Sequence, residues 1–265
     1  MATSLGSYET QFFAYIQAKQ KQSVETAELV KALGWTAIQE RKILSRLTKK
    51  GLVARVRRGL YLVPPRLPPG GKWSPGEFAV LTTLLSDQKG KYQICGPNAF
   101  NRYGWTDQVP NRIFAYNNRV SGERATGPVR LTLIKVADDR LGGTEVVTTP
   151  EGVRVPYSSR ARSLMDAVYD WSTFNSLPQA YDWITAEIAK SDKIASELIE
   201  ACIQFGNQGT LRRIGYLLEK LGIQETLLRK LAKAIRPSAS VIPWIPNRPK
   251  RGTLNKRWGV AINDE

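Results

Sequence analysis

Residues 36–65 read TAIQERKILSRLTKKGLVARVRRGLYLVPP, a capped amphipathic helix running into a basic, alternating hairpin. Thr36 followed three residues later by Gln39 is a capping box, and Gly51 supplies the helix stop. In the hairpin Arg55 and Arg57 share one parity and Ala54 and Val56 the other, with the turn at Arg58-Gly59. Two more helical patterns come before it. Residues 8–20 place Phe12, Phe13 and Ile16 at helical spacing, and residues 23–34 place Leu29, Val30 and Leu33 on one face with Gly34 at the C-cap. Three helices followed by a basic hairpin is the order of a winged helix-turn-helix.

The third helix has two unlike sides. Ile43, Leu44 and Leu47 form the core side, while Ile38, Arg41, Lys42, Ser45 and Lys49 share the other. On a duplex, Arg41 and Lys42 have the reach for guanine O6 and N7, and Ile38 could lie on a thymine methyl. Ser45, Lys49 and Lys50 suit phosphate, as do Arg55, Arg57 and Arg58 of the hairpin, with its apolar side on the helices. The plainer readings are a solvated helix face and an edge strand guarded by charge. Glu40 falls on the buried side, at a rim where a Lys or Arg would pair it.

Charge distribution favours the nucleic-acid reading. The formal net charge is +16, and residues 1–70 carry 12 Lys and Arg against 4 Asp and Glu, half of the excess in a quarter of the chain. With no histidine, Ser-His-Asp and Cys-His catalysis and His-ligated metal sites are excluded. Cys95 and Cys202 stand apart without ligand neighbours, as buried small apolar residues would. No catalytic residue, metal or cofactor is expected. The N-terminal residues lack a signal pattern and no apolar run is long enough for a membrane span, so the expectation is cytoplasmic with no membrane partner.

The expected fold class is α+β: a winged helix-turn-helix at 1–65, a Pro/Gly linker at 66–75 and a mixed C-terminal domain at 76–265. The linker expectation rests on five prolines and two glycines in 64–75. Beyond a helix at 75–87, the C-terminal domain reads as β-rich over 90–156, with strands at 92–96, 112–118, 129–136 and 144–149. It reads as helical over 158–235, with helices at 159–172, 177–190, 193–205, 208–221 and 223–235. An irregular tail over 236–265 ends in a candidate closing strand at 257–263.

Several stretches resemble the antitoxin of the abortive-infection E system, the AbiEi family. They are RVRRGLYLVPP (55–65), YQICGPNAFNRYGWTDQVPNRIFAYNN (92–118), VRVPYSSRARSLMDAVYD (153–170) and GTLRRIGYLLEKLG (209–222), with NKRWGVAIN (255–263) fitting loosely. The resemblance implies a bacterial transcriptional autorepressor whose winged helix binds inverted repeats in its own promoter, as a monomer or weak dimer pairing on DNA. It also implies a C-terminal domain that neutralises a nucleotidyltransferase-like toxin in a type IV manner, generally without a stable complex. No catalytic motif comes with it.

Within the C-terminal domain, Arg160, Arg162, Arg212 and Arg213 are candidates for a basic surface, and solvated or paired arginines are the plainer reading. Asp166 and Asp170 read as ordinary helix partners. Two other functions stay open on the residues alone. A metal-dependent nuclease would use a Glu-x-Lys triplet such as Glu40-Arg41-Lys42, or the acids Asp138, Asp139 and Glu145. A protein-interaction module would sequester the toxin directly.

Overall fold

The computed structural model describes residues 5–66, 72–149 and 152–263. Helix α1 (Ser7–Ala18) buries Phe12, Phe13 and Ile16. Strand β1 (Ser23–Glu25) follows, then α2 (Glu28–Leu33) and α3 (Ala37–Lys49). The hairpin is β2 (Ala54–Arg57) and β3 (Leu60–Leu62). These strands form an antiparallel sheet in the order β1-β3-β2. One expectation is corrected here, since 23–34 is not one helix. Val24 is β-branched and fully buried in the sheet, and Ala27 adopts a left-handed backbone (φ 75°) that separates strand from helix.

The capping box of α3 forms as read. The Gln39 N–H donates to Thr36 Oγ1 at 3.2 Å, and the Thr36 N–H donates to Gln39 Oε1 at 2.8 Å. Ile43, Leu44 and Leu47 meet the α1 side chains and Leu29 in one apolar cluster. Each such fully buried side chain stabilises by roughly 1.5–3 kcal/mol. The linker read over 66–75 falls partly outside the described residues, at 67–71.

Next come α4 (Glu77–Asp87), β4 (Tyr92–Ile94), α5 (Pro97–Arg102), β5 (Ile113–Asn117), β6 (Gly122–Thr126), β7 (Val129–Lys135), β8 (Thr144–Thr148) and β9 (Arg154–Ser158). Among the described residues these strands make a six-stranded mixed sheet in the order β6-β7-β5-β4-β9-β8. Strands β5 and β7, and β4 and β9, run parallel, and the other neighbours antiparallel. Helix α4 buries Val80, Leu81, Leu84 and Leu85 in a second apolar cluster with Ile94, Ala115, Leu131, Leu133 and Val155. Edge strand β6 is GERAT, exposed at four positions, and has no apolar alternation to announce it.

The helical part comprises α6 (Arg160–Tyr169), α7 (Trp171–Phe174), α8 (Gln179–Lys190), α9 (Lys193–Phe205), α10 (Gln208–Lys220) and α11 (Glu225–Lys233). Helix α6 is buried at every position from Ala161 to Val168, as a central helix must be. Strand β12 (Val260–Ile262) pairs with β10 (Ile242–Pro243) and β11 (Thr253–Asn255), a small sheet separate from the main one. Trp258 seats this sheet on α10 at Gly215, where an added Cβ would lie 2.2 Å from the indole.

Candidate nucleic-acid interface

Helix α3 presents the face read from its sequence. Ile38 is 59% exposed, among the most exposed large apolar side chains of the described residues. Arg41, Lys42, Ser45 and Lys49 are exposed beside it, and with Arg46 they line one shallow depression. Arg46 belongs to this face and was not among the expected residues. Its signal was present, since it follows Ile38 by eight positions and Lys42 by four. Arg41 is steadied on its own helix, Nε donating to Ala37 O at 3.1 Å.

The ion pairs of this region are Lys21–Glu28, Lys50–Glu9 and Arg57–Asp87. Arg41, Lys42, Lys49, Arg55 and Arg58 are left without an acidic partner among the described residues. Lys50 is different, because its ammonium donates to both Glu9 oxygens, at 2.8 and 2.9 Å. It ties α3 to α1 and is drawn away from the Ile38 face.

Glu40 is buried to 2% exposure, and its partners are backbone groups, not a cation. Oε2 accepts from Ala27 N at 2.8 Å and Oε1 from Leu29 N at 3.0 Å. A carboxylate of α3 therefore caps the N-terminus of α2 and sets the angle between the two helices. That engagement leaves the Glu-x-Lys triplet at 40–42 no free carboxylate for a metal.

The hairpin departs from a regular wing at Val56. Arg55 pairs with Tyr61 and Arg57 with Leu60, so a register shift lies between the two arginines. Such a bulge re-aims the side chains beyond it. Arg57 Nε donates to Asp87 Oδ2 at 2.6 Å and its Nη2 to Asp87 Oδ1, a two-pronged pair with the last residue of α4. The expectation that Arg57 joins Arg55 as a free cation is corrected: its partner is inside the chain. The apolar side of the hairpin is corrected too. Ala54 and Leu62, with Val56 packed against them, belong to the cluster of α4 and the main sheet, and not to the three-helix core. Gly59 makes the turn at φ 84°.

The four C-terminal arginines do not form a surface. Arg162 has 0% exposure, and its Nε donates to both oxygens of the fully buried Asp166, each at 3.0 Å. Its other donors hold Gly142 O at 2.9 Å and Arg140 O at 2.8 Å. Arg140 reaches Asp166 Oδ1 at 2.7 Å and lies 4.0 Å over the Tyr169 ring. Asp166 is thus the centre of a buried charge network, and no ordinary helix partner. Complete burial pushes its carboxyl up to about 6 against the pull of Arg140. Arg212 is buried as well, donating to Trp258 O and Ser240 O at 2.6 Å each, so it anchors the C-terminal sheet. Arg213 bonds Pro243 O at 3.2 Å, and Arg160 pairs with Glu187 at 2.8 Å. Asp170 accepts from the Tyr116 hydroxyl.

Among the described residues, no group of three or more Cys, Asp or Glu gathers where a metal could be held. Nor is any helix there long and apolar enough to cross a membrane.

A three-helix head with an antiparallel wing and an exposed cationic helix face defines a winged helix-turn-helix module, here joined to an α+β body. Residues 14–64 match the family model described as transcriptional regulator, AbiEi antitoxin, so this segment carries the signature of that family. The whole chain is similar in fold to the crystal structure of the RV2827C protein from Mycobacterium tuberculosis. That likeness has a TM-score of 0.63 at 13% identity, over 97% of this chain and 92% of the other. A comparison with curated proteins found no match.

Proposed function

We propose that this chain is a bacterial antitoxin and transcriptional autorepressor that acts in the cytoplasm. Its winged helix binds inverted repeats in its own promoter, and its α+β body neutralises a nucleotidyltransferase-like toxin encoded beside it. The observation carrying the DNA role is the α3 face, where Ile38, Arg41, Lys42 and Lys49 stand exposed, the three cations with no acidic ion-pair partner among the described residues. Arg41 and Lys42 then read bases, and Lys49, Arg46, Arg55 and Arg58 hold phosphate. The family match over 14–64 supports the antitoxin role. A single duplex carrying the upstream region of the gene tests the first part. Wild-type protein should shift it in preference to a scrambled duplex, and Arg41→Ala should cost about 1–3 kcal/mol of that preference. Equal binding to both duplexes at moderate salt would refute the repressor reading. For the second part, growth arrest by the neighbouring toxin should be relieved by the full chain and by Arg41→Ala alike. Persisting arrest with the full chain would refute the antitoxin reading.

A further inference from the structure

The wing is bolted to the body at its tip, and cations surround the bolt. Arg57 holds Asp87 through two hydrogen bonds, while its Nη1 donates to Arg58 O at 2.7 Å and orders the turn. Two residues past Asp87 stands Lys89, its Cα within about 7.6 Å of that of Asp87. Arg119 Nη2 donates to Lys89 O at 2.9 Å, and Lys91 N donates to Asn118 Oδ1 at 2.9 Å. The turn after α4 and the turn after β5 are therefore locked together beside the wing. Lys89, Lys91 and Arg119 are all exposed, and none is ion-paired among the described residues. The acids facing this region are Asp138, which accepts from Asn118 Nδ2 at 2.8 Å, and Glu25, whose charge acts on Arg57.

We infer that the duplex-binding surface continues from the wing tip onto the body, where Lys89, Lys91 and Arg119 contact the phosphate backbone flanking the site read by α3. This rests on the DNA-binding reading above and extends it to a part of the chain outside the winged helix. Two features select double-stranded phosphate as the ligand. The cluster is joined through Arg57–Asp87 to the wing turn that carries the exposed Arg58. The turn residues 88–91 and 118–121 include no aromatic side chain on which an unpaired base could stack. Contacts of this kind add affinity and salt dependence without reading sequence.

The test measures full-length protein on the upstream duplex and on a scrambled duplex across a series of salt concentrations. Lys89→Gln paired with Arg119→Gln should weaken binding to both duplexes about tenfold or more at low salt. The slope of log affinity against log salt should become shallower by about 1.8 for two lost contacts. Lys89→Gln alone removes a charge without removing a hydrogen bond, and should give half of that slope change. Lys89→Arg with Arg119→Lys should restore both. If the neutralised variants keep wild-type affinity and slope while Arg41→Ala loses its preference, this inference fails and the DNA reading stands. If wild type binds the two duplexes equally and the neutralised variants weaken both, the inference holds and sequence-specific repression fails. No binding of wild type to either duplex would overturn both.

Discussion

At the scale of single residues, polar groups buried in this chain work as joints. Glu40 bonds two backbone N–H groups at the start of α2, a site with no side-chain cap of its own. Removing the carboxylate leaves the buried Leu29 N–H unpaired, at about 1–3 kcal/mol, and takes from the more exposed Ala27 N–H a hydrogen bond of about 1 kcal/mol. Glu40→Ala should therefore lower unfolding free energy by about 2–4 kcal/mol in urea titrations. A loss below 0.5 kcal/mol, the scale of an ordinary surface change, would show that the cap contributes nothing. Arg162 and Asp166 teach the complementary lesson. Their spacing of four along a helix was visible, and so was the chance of an ion pair. Their complete burial was not, because it follows from Arg140, Gly142 and Phe205, which come from distant parts of the chain.

At the scale of elements, the winged helix is held by carboxylates that gain from their charge. Burial works to raise the Glu9 carboxyl, but the Lys50 ammonium and the Gly6 N–H outweigh it and hold it below 4.5. Glu28 is likewise pushed up by burial, yet held low by Lys21, the Tyr15 hydroxyl and the Glu25 N–H. With both groups lowered, the native state binds fewer protons in acid than the unfolded chain does. Their stabilisation is present above pH 4.5 and is lost as pH falls below it. Urea midpoints followed by α-helical circular dichroism should fall over that window, and Lys50→Met should flatten the fall. An unchanged slope in Lys50→Met would remove Glu9 from this account.

The elements also show what the sequence could reveal. The α3 cap, the Ile43, Leu44 and Leu47 stripe and the Gly59 turn are local, and each was legible from neighbours within four residues. Helices α6 and α8–α11 were legible for the same reason, through their apolar periodicity, whereas the break at Asp170 that sets off α7 was not. Strand β6 was not, since an exposed edge strand pairs through its backbone and needs no apolar alternation. Strand β1 hid inside a helical pattern because only three residues and the left-handed Ala27 distinguish it. Of the candidate interface, the α3 face was readable as a wheel. The assignment of Arg57 was not, because its partner Asp87 lies thirty positions away.

At the scale of the whole molecule, the hairpin belongs to two cores at once. Val53 and Val63 at its base join the three-helix cluster, while Ala54 and Leu62 join the cluster of α4 and the sheet. Cutting the chain after residue 66 would expose Ala54, Val56 and Leu62 and leave Arg57 without Asp87. Uncovering a buried Leu alone costs roughly 1.5–3 kcal/mol. A fragment of residues 1–66 should accordingly unfold at lower urea than the same segment within the full chain, as followed by hydrogen exchange of α3 amides. Equal protection in both would mean that the body lends the winged helix nothing.

That shared hairpin bears on how such a protein can change its target. The positions exposed on α3 and those buried beneath it are disjoint sets, so Ile38, Arg41, Lys42 and Ser45 can be exchanged without disturbing the packing. The winged helix as a unit cannot be lifted out so freely, because half of its hairpin was shaped against a particular body. On the DNA-binding reading proposed above, new operator preferences are therefore within reach of point exchanges on one helix. Chimeras joining the head of one such regulator to the trunk of another would have to carry the matching α4 along.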